Sequence, residues 1–207
     1  MTLSQRDFAT DQHGWSELLP PRQACNAMQG ILRVPWVVVG AGLTGLACAR
    51  RLAELHPNDE IILLDARLVG QGASGRNSGF AVGVSHFPGA FKPEQKENVA
   101  RVNRINQAGL DILDQQIKSL AINCQWDDSG FHHGAADRKS VKEHKYFIDY
   151  LNAMDVEHSS LDQQAMKSRF GTSLYQAGVH VKRGALVQPA ALVRGLGDNQ
   201  PNNVRLI

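Results

Sequence analysis

The sequence predicts an α/β fold that starts, after a polar N-terminal segment, with a strand, a helix and a second strand. Residues 34–40 and 60–66 are continuous apolar runs, and residues 43–55 repeat apolar side chains at helical spacing. Continuous apolar runs are typical of strands buried on both faces of a parallel sheet. The three segments fit within about 30 residues, which is the size of one βαβ unit.

The composition is that of a globular protein without a strongly charged partner. The 207 residues are 43% hydrophobic and 20% charged, with a net charge of +2, so neither nucleic acid nor a membrane is an expected partner. Cys25, Cys48 and Cys124 lack metal-ligand spacing, which indicates reduced thiols in a cytoplasmic protein. His132 and His133 are neighbours on a predicted strand and point to opposite faces, so they do not share a metal ion.

The remaining segments are less regular. Residues 1–33 are polar and predict an irregular arm, disordered or draped over the domain. Residues 68–89 hold six glycines without helical periodicity, which predicts a long loop. Helices are expected near 93–120 and 139–154 and from Pro189, and a strand is starting at Val204. The apolar face of the first of these helices is expected to carry Val99, Val102, Ile105, Gly109, Ile112, Gln116 and Leu120.

The segment GAGLTG joins the first strand to the first helix. Gly40 permits a tight turn, Gly42 lets a pyrophosphate approach the backbone, and Gly45 lets the helix pack on the strand. The helix start carries roughly half a positive charge, which suits a diphosphate. Asp65 ends the second strand, where a carboxylate can accept hydrogen bonds from both hydroxyls of an adenosine ribose. Together these features predict a Rossmann-type dinucleotide site.

The glycine motif alone does not distinguish FAD from NAD, because both cofactors contain an ADP half. The long loop after the second strand favours FAD, since a nicotinamide domain usually enters another crossover helix within a few residues. Its glycines keep the backbone able to lie against a ligand. Its polar side chains add donors without bulk: they are Ser74, Arg76, Asn77 and Ser78. We expect this loop to enclose the flavin side of a long dinucleotide.

The segments VVVGAGLTGLACARRLAE and LLDARLVGQGASGRNSGF resemble the FAD-binding start of the D-amino-acid-oxidase-like flavoenzymes. The resemblance extends over roughly residues 34–207 and is greatest to the γ-glutamylputrescine oxidase-like amine oxidoreductases, to which GALVQPAALVRGL is also similar. It implies a glutathione-reductase-like, Rossmann-type FAD-binding βαβ unit with part of an α+β substrate domain. No histidine or cysteine stands in GASGRNSGF, so we expect noncovalent FAD.

The resemblance also implies which residues hold the cofactor. Gly40–Gly45 would bind the pyrophosphate, Asp65 the ribose, Arg67 the adenine edge, and Gly72–Gly79 the side that leads to the flavin. The residues expected at the cofactor are Gly40, Ala41, Gly42, Leu43, Thr44, Gly45, Asp65, Ala66, Arg67, Gly72, Ala73, Ser74, Arg76, Asn77, Ser78 and Gly79. No catalytic residue is identified.

By the same resemblance, the chain divides into an arm, a cofactor-binding region, part of a substrate domain, and the start of a return to the first sheet. The expected bounds of these regions are 1–33, 34–90, 91–196 and 197–207.

The implied activity is oxidation of a small amine or amino acid by hydride transfer to flavin. An NAD-dependent dehydrogenase domain and a noncatalytic dinucleotide-binding subunit remain as alternatives. Relatives in the resembled family are longer, so we expect either a fragment or a second polypeptide that supplies the C-terminal half. The first two strands are then expected to lack sheet neighbours.

Overall fold

The computed structural model describes residues 13–25, 27–84 and 91–207, which form two compact units. The first unit lies within Met1–Gly79, Ile117–Cys124 and Gln188–Ile207, and the second within Phe80–Gln116 and Gln125–Val187. The beginning of the predicted arm and the end of the predicted glycine loop lie outside the described residues. Residues 188–196 belong to the first unit, although the sequence suggested that they continue the second.

The described residues of the first unit form three parallel strands and four helices. In chain order these are α1 (Gly14–Glu17), β1 (Trp36–Val39), α2 (Leu43–Leu55), β2 (Ile61–Leu64), α3 (Ala73–Arg76), α7 (Pro189–Asp198) and β8 (Val204–Leu206). The strands form one sheet in the order β1-β2-β8. Trp36 pairs with Ile61, and Ile61 pairs with Val204 on its other side.

The position of β8 corrects one expectation from the sequence. The first two strands were expected to lack sheet neighbours, but β8 pairs with β2 along its outer edge. In contrast, β1 lies at the edge of this three-stranded sheet, and the side chains of Val37 and Val39 are 54% and 82% exposed. Strand β2 therefore has a neighbour on each edge, whereas β1 pairs only with β2 in the described part of the chain.

Helix α2 packs on β1 and β2 through the residues that its periodicity predicts. Leu46, Ala49 and Ala53 are buried, and so is the whole of Ile61–Leu63 in β2. Full burial of a Leu or Ile side chain contributes about 1.5–3 kcal/mol. The strand–helix–strand unit thus owes its core to the same apolar runs that identify it in the sequence.

The glycine-rich segment after β2 is more regular than expected. It contains the single helical turn α3, and the chain then enters the second unit through β3 (Phe80–Val82). Both elements lie where the sequence shows no helical period.

In the second unit, residues 80–84, 91–116 and 125–187, together with the end of one helix, form two antiparallel sheets and three α-helices. After β3 come a 3-10 turn (Pro93–Gln95), α4 (Lys96–Ser119, ending in the first unit), β4 (Phe131–Ala135), α5 (Arg138–Ala153), β5 (His158–Asp162), α6 (Gln163–Phe170), β6 (Ala177–Val181) and β7 (Gly184–Leu186). Strand β3 pairs with β7, and the other sheet has the order β4-β6-β5. Phe147, Tyr150 and Leu151 of α5 pack with Val179 and Val181 of β6 in its core.

Helix α4 forms where predicted but presents a different face. Val99 is buried as expected, but Ile105 and Ile112, which were expected on the same face, are 60% and 56% exposed, and Asn103, which was not expected there, is buried. Asn103 is buried because its Nδ2 donates to the hydroxyl of Tyr150 at 2.9 Å. Pairing the two polar groups removes the cost of burying either one alone.

Candidate functional site

The first glycine loop joins β1 to α2 with the geometry that its three glycines predict. Gly40 has φ +100°, a left-handed conformation that favours glycine. A β-carbon at Gly45 would overlap the carbonyl oxygen of Gly40, so the start of α2 lies directly against the end of β1. Gly42 is the N-cap of α2 and has no side chain that could shield the helix N-terminus. The N-terminus of a 13-residue helix is thus presented at the end of a buried strand.

Asp65, the predicted ribose ligand, contacts this loop directly. One carboxylate oxygen accepts from the backbone N–H of Ala41 at 2.6 Å, and the other accepts from that of Arg67 at 2.9 Å. A carboxylate has about four acceptor positions, so two such bonds leave room for hydroxyl donors. The structure therefore brings together three of the predicted residues at the ends of β1 and β2.

The second glycine loop repeats the backbone geometry of the first. Gly70 has φ +92°, and Gly72 caps α3 with φ −83° and ψ −171°, close to the φ −81° and ψ −179° of Gly42. A β-carbon at Gly75 would overlap the carbonyl oxygen of Gly70, as Gly45 would overlap Gly40. The segment GQGASG has the same G-x-G-x-x-G spacing as GAGLTG. Gly70 lies outside the range Gly72–Gly79 that was expected at the cofactor, although this shared spacing could have identified it.

The two glycine loops meet at Ser74. Its hydroxyl oxygen accepts from the backbone N–H of Leu43 at 3.1 Å, in the first turn of α2. A β-carbon at Gly42 would lie 2.8 Å from the same oxygen. Ser74 thus holds the second loop against the helix N-terminus of the first, and the absence of a side chain at Gly42 permits this approach.

Other polar side chains of the second loop hold its own backbone. Asn77 donates to the carbonyl of Ser74 at 2.8 Å and accepts from the N–H of Gly79 at 2.9 Å. Arg76 donates through Nε to the carbonyl of Gln71 at 2.7 Å. Ser78 is exposed. Two of the side chains predicted as ligand donors therefore bond to the backbone of their own loop.

A cavity of about 400 Å³ opens beside Asp65. This volume lies within the range of about 300–1,000 Å³ that small-molecule sites occupy. Besides Asp65, its lining includes Ala66, Arg67, Leu68, Val69, Gln71 and Leu206 from the strand ends, and Arg22, Gln23, Ala24, Cys25 and Ala27 from the N-terminal segment. The cavity combines a carboxylate, guanidinium groups and apolar walls, a mixture that suits a nucleoside.

In the second unit, the two adjacent histidines face opposite sides of β4, as predicted. The ring of His132 stacks on that of His180 at 4.3 Å, whereas the ring of His133 lies 4.7 Å from that of Phe147. Within residues 13–25, 27–84 and 91–207, no three His, Cys, Asp or Glu side chains are grouped as a metal site. None of the helices in this described part of the chain has the length and apolar character that a membrane crossing needs.

Residues 35–206 match the family of FAD dependent oxidoreductases (DAO), and the chain belongs to this family. It is 26% identical over 172 residues to a probable oxidoreductase, OrdL, of Haemophilus influenzae, and 27% identical over 165 residues to the gamma-glutamylputrescine oxidoreductase of Escherichia coli. These alignments cover 77% and 78% of this chain but 37% and 38% of the two relatives. The chain therefore spans less than half the length of these curated relatives.

Solved structures share the fold of this chain. Glycine oxidase from Geobacillus kaustophilus matches with a TM-score of 0.69 at 14% identity, over 84% of this chain and 46% of that one. L-Amino acid deaminase from Proteus myxofaciens matches with a TM-score of 0.62 at 15% identity, over 88% and 40% of the two chains. The predicted fold class, family resemblance and cofactor, FAD, are confirmed.

The site fits this cofactor in two respects. In the first glycine loop, Gly42 adds no side chain at the α2 N-terminus, where a helix can bind a diphosphate, although the N–H of Leu43 there already donates to Ser74. The Asp65 carboxylate and the adjoining cavity offer hydroxyl acceptors and apolar walls to an adenosine. Both features belong to the first unit and lie at the carboxyl ends of its parallel strands, where open α/β sheets bind their ligands.

Proposed function

We propose that this chain is the FAD-binding part of an oxidoreductase that oxidises the C–N bond of a small amine or amino acid. The observation that carries this proposal is the pair of glycine loops joined by Ser74 and Leu43 beside Asp65. The names of the relatives support the substrate class, since they include a gamma-glutamylputrescine oxidoreductase, a glycine oxidase and an L-amino acid deaminase.

Different residues bind different parts of the cofactor. The backbone of Gly40–Gly45 binds the pyrophosphate at the positive end of the α2 dipole. Asp65 accepts hydrogen bonds from the ribose hydroxyls, and Arg67 flanks the adenine. Gly72–Gly79 extends along the ligand toward the flavin, with Ser74 fixing its distance from α2. No cysteine or histidine occurs in residues 72–79, which supports noncovalent binding.

When bound, the flavin supplies the chemistry, which is acceptance of a hydride from the carbon beside the amine nitrogen. The residues described above bind the cofactor along the two loops and fix its orientation. No acid or base among them is assigned a proton-transfer role. Catalysis is therefore assigned to the cofactor and to residues that complete its pocket.

Two observations support the proposal that further protein completes that pocket. Val37 and Val39 of β1 are 54% and 82% exposed, although parallel sheets usually have both faces covered. The relatives are more than twice as long as the matched region. We propose that a C-terminal half, on the same polypeptide or on a complementing chain, covers β1 and encloses the flavin ring. Apart from residues 188–196, the expected regional boundaries stay predictions, and so does the cytoplasmic location.

Two other functions predict different binding behaviour. A nicotinamide-dependent dehydrogenase domain would bind NAD in preference to FAD, and a noncatalytic subunit would bind FAD without any turnover when complemented. The family match favours FAD, and the second glycine loop favours a long ligand that continues past the diphosphate.

A titration of the purified chain with FAD, NAD and ADP tests the proposal. We expect FAD and ADP to bind, NAD to bind more weakly, and Gly42→Val to abolish FAD binding, because its side chain would displace Ser74 and crowd the backbone where the diphosphate is proposed to bind. Gly109→Val is the control, because Gly109 lies in α4 and nothing stands within 4 Å of its added β-carbon. Failure of the chain to bind FAD, or retention of FAD by Gly42→Val, would refute the proposal.

Turnover requires a separate assay. The purified chain should show no amine-dependent flavin reduction alone and should gain it with a separately made C-terminal half of a relative. Reduction by residues 1–207 alone would show that the active site lies within them.

A further inference from the structure

We propose that the N-terminal arm, defined as residues 13–25 and 27–33, is part of the dinucleotide site. It would hold the second glycine loop from outside and form one wall of the adenosine cavity. This inference rests on the proposed function. The family match begins at residue 35, so it does not account for the arm.

The arm contacts both ends of the segment that contains α3. Nε2 of His13 lies 3.1 Å from the carbonyl oxygen of Gly70, and Nε1 of Trp15 donates to the carbonyl of Asn77 at 2.9 Å. A carbonyl oxygen can only accept, so Nε2 of His13 is the protonated nitrogen in the first of these bonds. The two bonds fix the residues on either side of Ser74, which is the residue that reaches α2.

The arm is itself anchored to α7 of the same unit. Gln188 is 3% exposed; its Nε2 donates to the carbonyl of Trp15 at 2.8 Å, and its side-chain oxygen caps α7 by accepting from Ala191 at 2.7 Å. Arg194 donates to the carbonyl of Pro20 at 3.0 Å. Arg22 forms a two-bond ion pair with Asp198, at 3.0 and 2.5 Å. These bonds hold the arm against the unit.

Beyond this anchor, the arm borders the cavity beside Asp65. Residues 22–25 and Ala27 lie on its lining together with Asp65–Leu68. Ala24, Cys25 and Ala27 are small, so this wall leaves space for a flat ring. A preformed wall reduces the ordering that a ligand must otherwise impose on the chain. The chemistry of the cavity therefore fits an adenine nucleoside, with the arm on one side and the strand ends on the other.

Two tryptophan substitutions test the wall. Ala24→Trp places a large side chain on the lining, whereas Met28→Trp alters a nearby, 48% exposed arm residue that does not line the cavity. We expect Ala24→Trp to raise the Kd for ADP and for FAD about tenfold or more and to leave the Kd for FMN unchanged, because FMN has no adenosine. Met28→Trp should leave all three Kd values unchanged.

A second variant tests the support of the glycine loop. Trp15→Phe keeps an aromatic ring but removes the donor to Asn77, so it should raise the Kd for FAD severalfold. Thermal unfolding of each variant without ligand separates a local effect from loss of the fold.

The outcomes distinguish the two proposals. If the unaltered chain binds FAD and ADP but Ala24→Trp binds them equally well, the arm is not a wall of the site, and the proposed function stands. If the unaltered chain binds neither, both proposals fail. If Trp15→Phe alone has no effect, the arm does not support the second loop.

Discussion

The carboxylate of Asp65 accepts a hydrogen bond from the backbone N–H of Ala41 at 2.6 Å. The acid at the end of β2 is thereby fixed to the loop that follows β1, and its second oxygen is fixed to Arg67. Asp65 therefore has a structural task in addition to its proposed contact with a ribose. Substitutions at this position should affect the loop as well as the ligand.

Asp65→Ala should weaken FAD binding more than FMN binding, by about 1.5–3 kcal/mol, because only FAD carries the adenosine ribose. Asp65→Asn should retain part of this affinity, since its amide oxygen can still accept one of the two backbone bonds. Parallel calorimetric titrations with FAD and FMN measure the difference. Glu54→Ala, at an exposed acid paired with Arg51 on α2, serves as control. Equal losses for the two flavins would place Asp65 away from the ribose.

Gly75→Ala should destabilise the chain by about 1–3 kcal/mol or more, because its β-carbon would overlap the carbonyl of Gly70. Gly72→Ala is the matched control in the same loop. No atom lies within 4 Å of its added β-carbon, and its φ of −83° suits any residue. The free energies of unfolding in urea measure both effects. Similar stabilities for the two variants would contradict the close approach at Gly75.

Gly109→Ala should stabilise the second unit by about 0.5–1 kcal/mol, because glycine within a helix costs that much relative to alanine. Gly109 lies in the interior of α4, and its β-carbon would enter open space. Thermal and urea unfolding measure the gain. A decrease in stability would indicate that this exposed position is packed against something in solution.

The pKa of His132 should lie below its ordinary value of 6.5, because burial, the neighbouring His180 and Arg169 all disfavour its charged form. The unfolded chain then binds the proton first as pH falls, so the stability of the second unit should decrease as pH falls below 6.5 and level off below the folded-state pKa. A histidine NMR titration measures the pKa directly. In His132→Gln this part of the pH dependence should disappear; a pKa at or above 6.5 would contradict the prediction.

Local patterns in the sequence were sufficient for the elements that carry strong periodicity. Helix α2 spans the predicted residues Leu43–Leu55, and α4 and α5 begin and end within a few residues of their expected limits. Apolar runs also located β1 and β2. Each of these predictions depends on one continuous segment, because burial on one face or on both faces determines how often apolar residues recur along it.

Contacts between residues that lie far apart in the sequence could not be predicted from local patterns. The face of α4 was misjudged because Asn103 is buried by a bond to Tyr150, a residue far along the chain. The pairing of β8 with β2 joins residues separated by about 140 positions, which no local pattern encodes. In the candidate site, the spacing of the glycines predicted the first loop, but the contact between Ser74 and Leu43 became visible only in the structure.

The discontinuity of the first unit has a consequence for biosynthesis. After β1, α2 and β2 have emerged from the ribosome, the whole second unit must still be synthesised before α7 and β8 emerge. Until then the edge of β2 that β8 will cover lacks its partner strand, and an unpaired strand edge makes a partly folded chain prone to aggregation. The second unit can fold during this interval, because its own segments are complete once Val187 has been released.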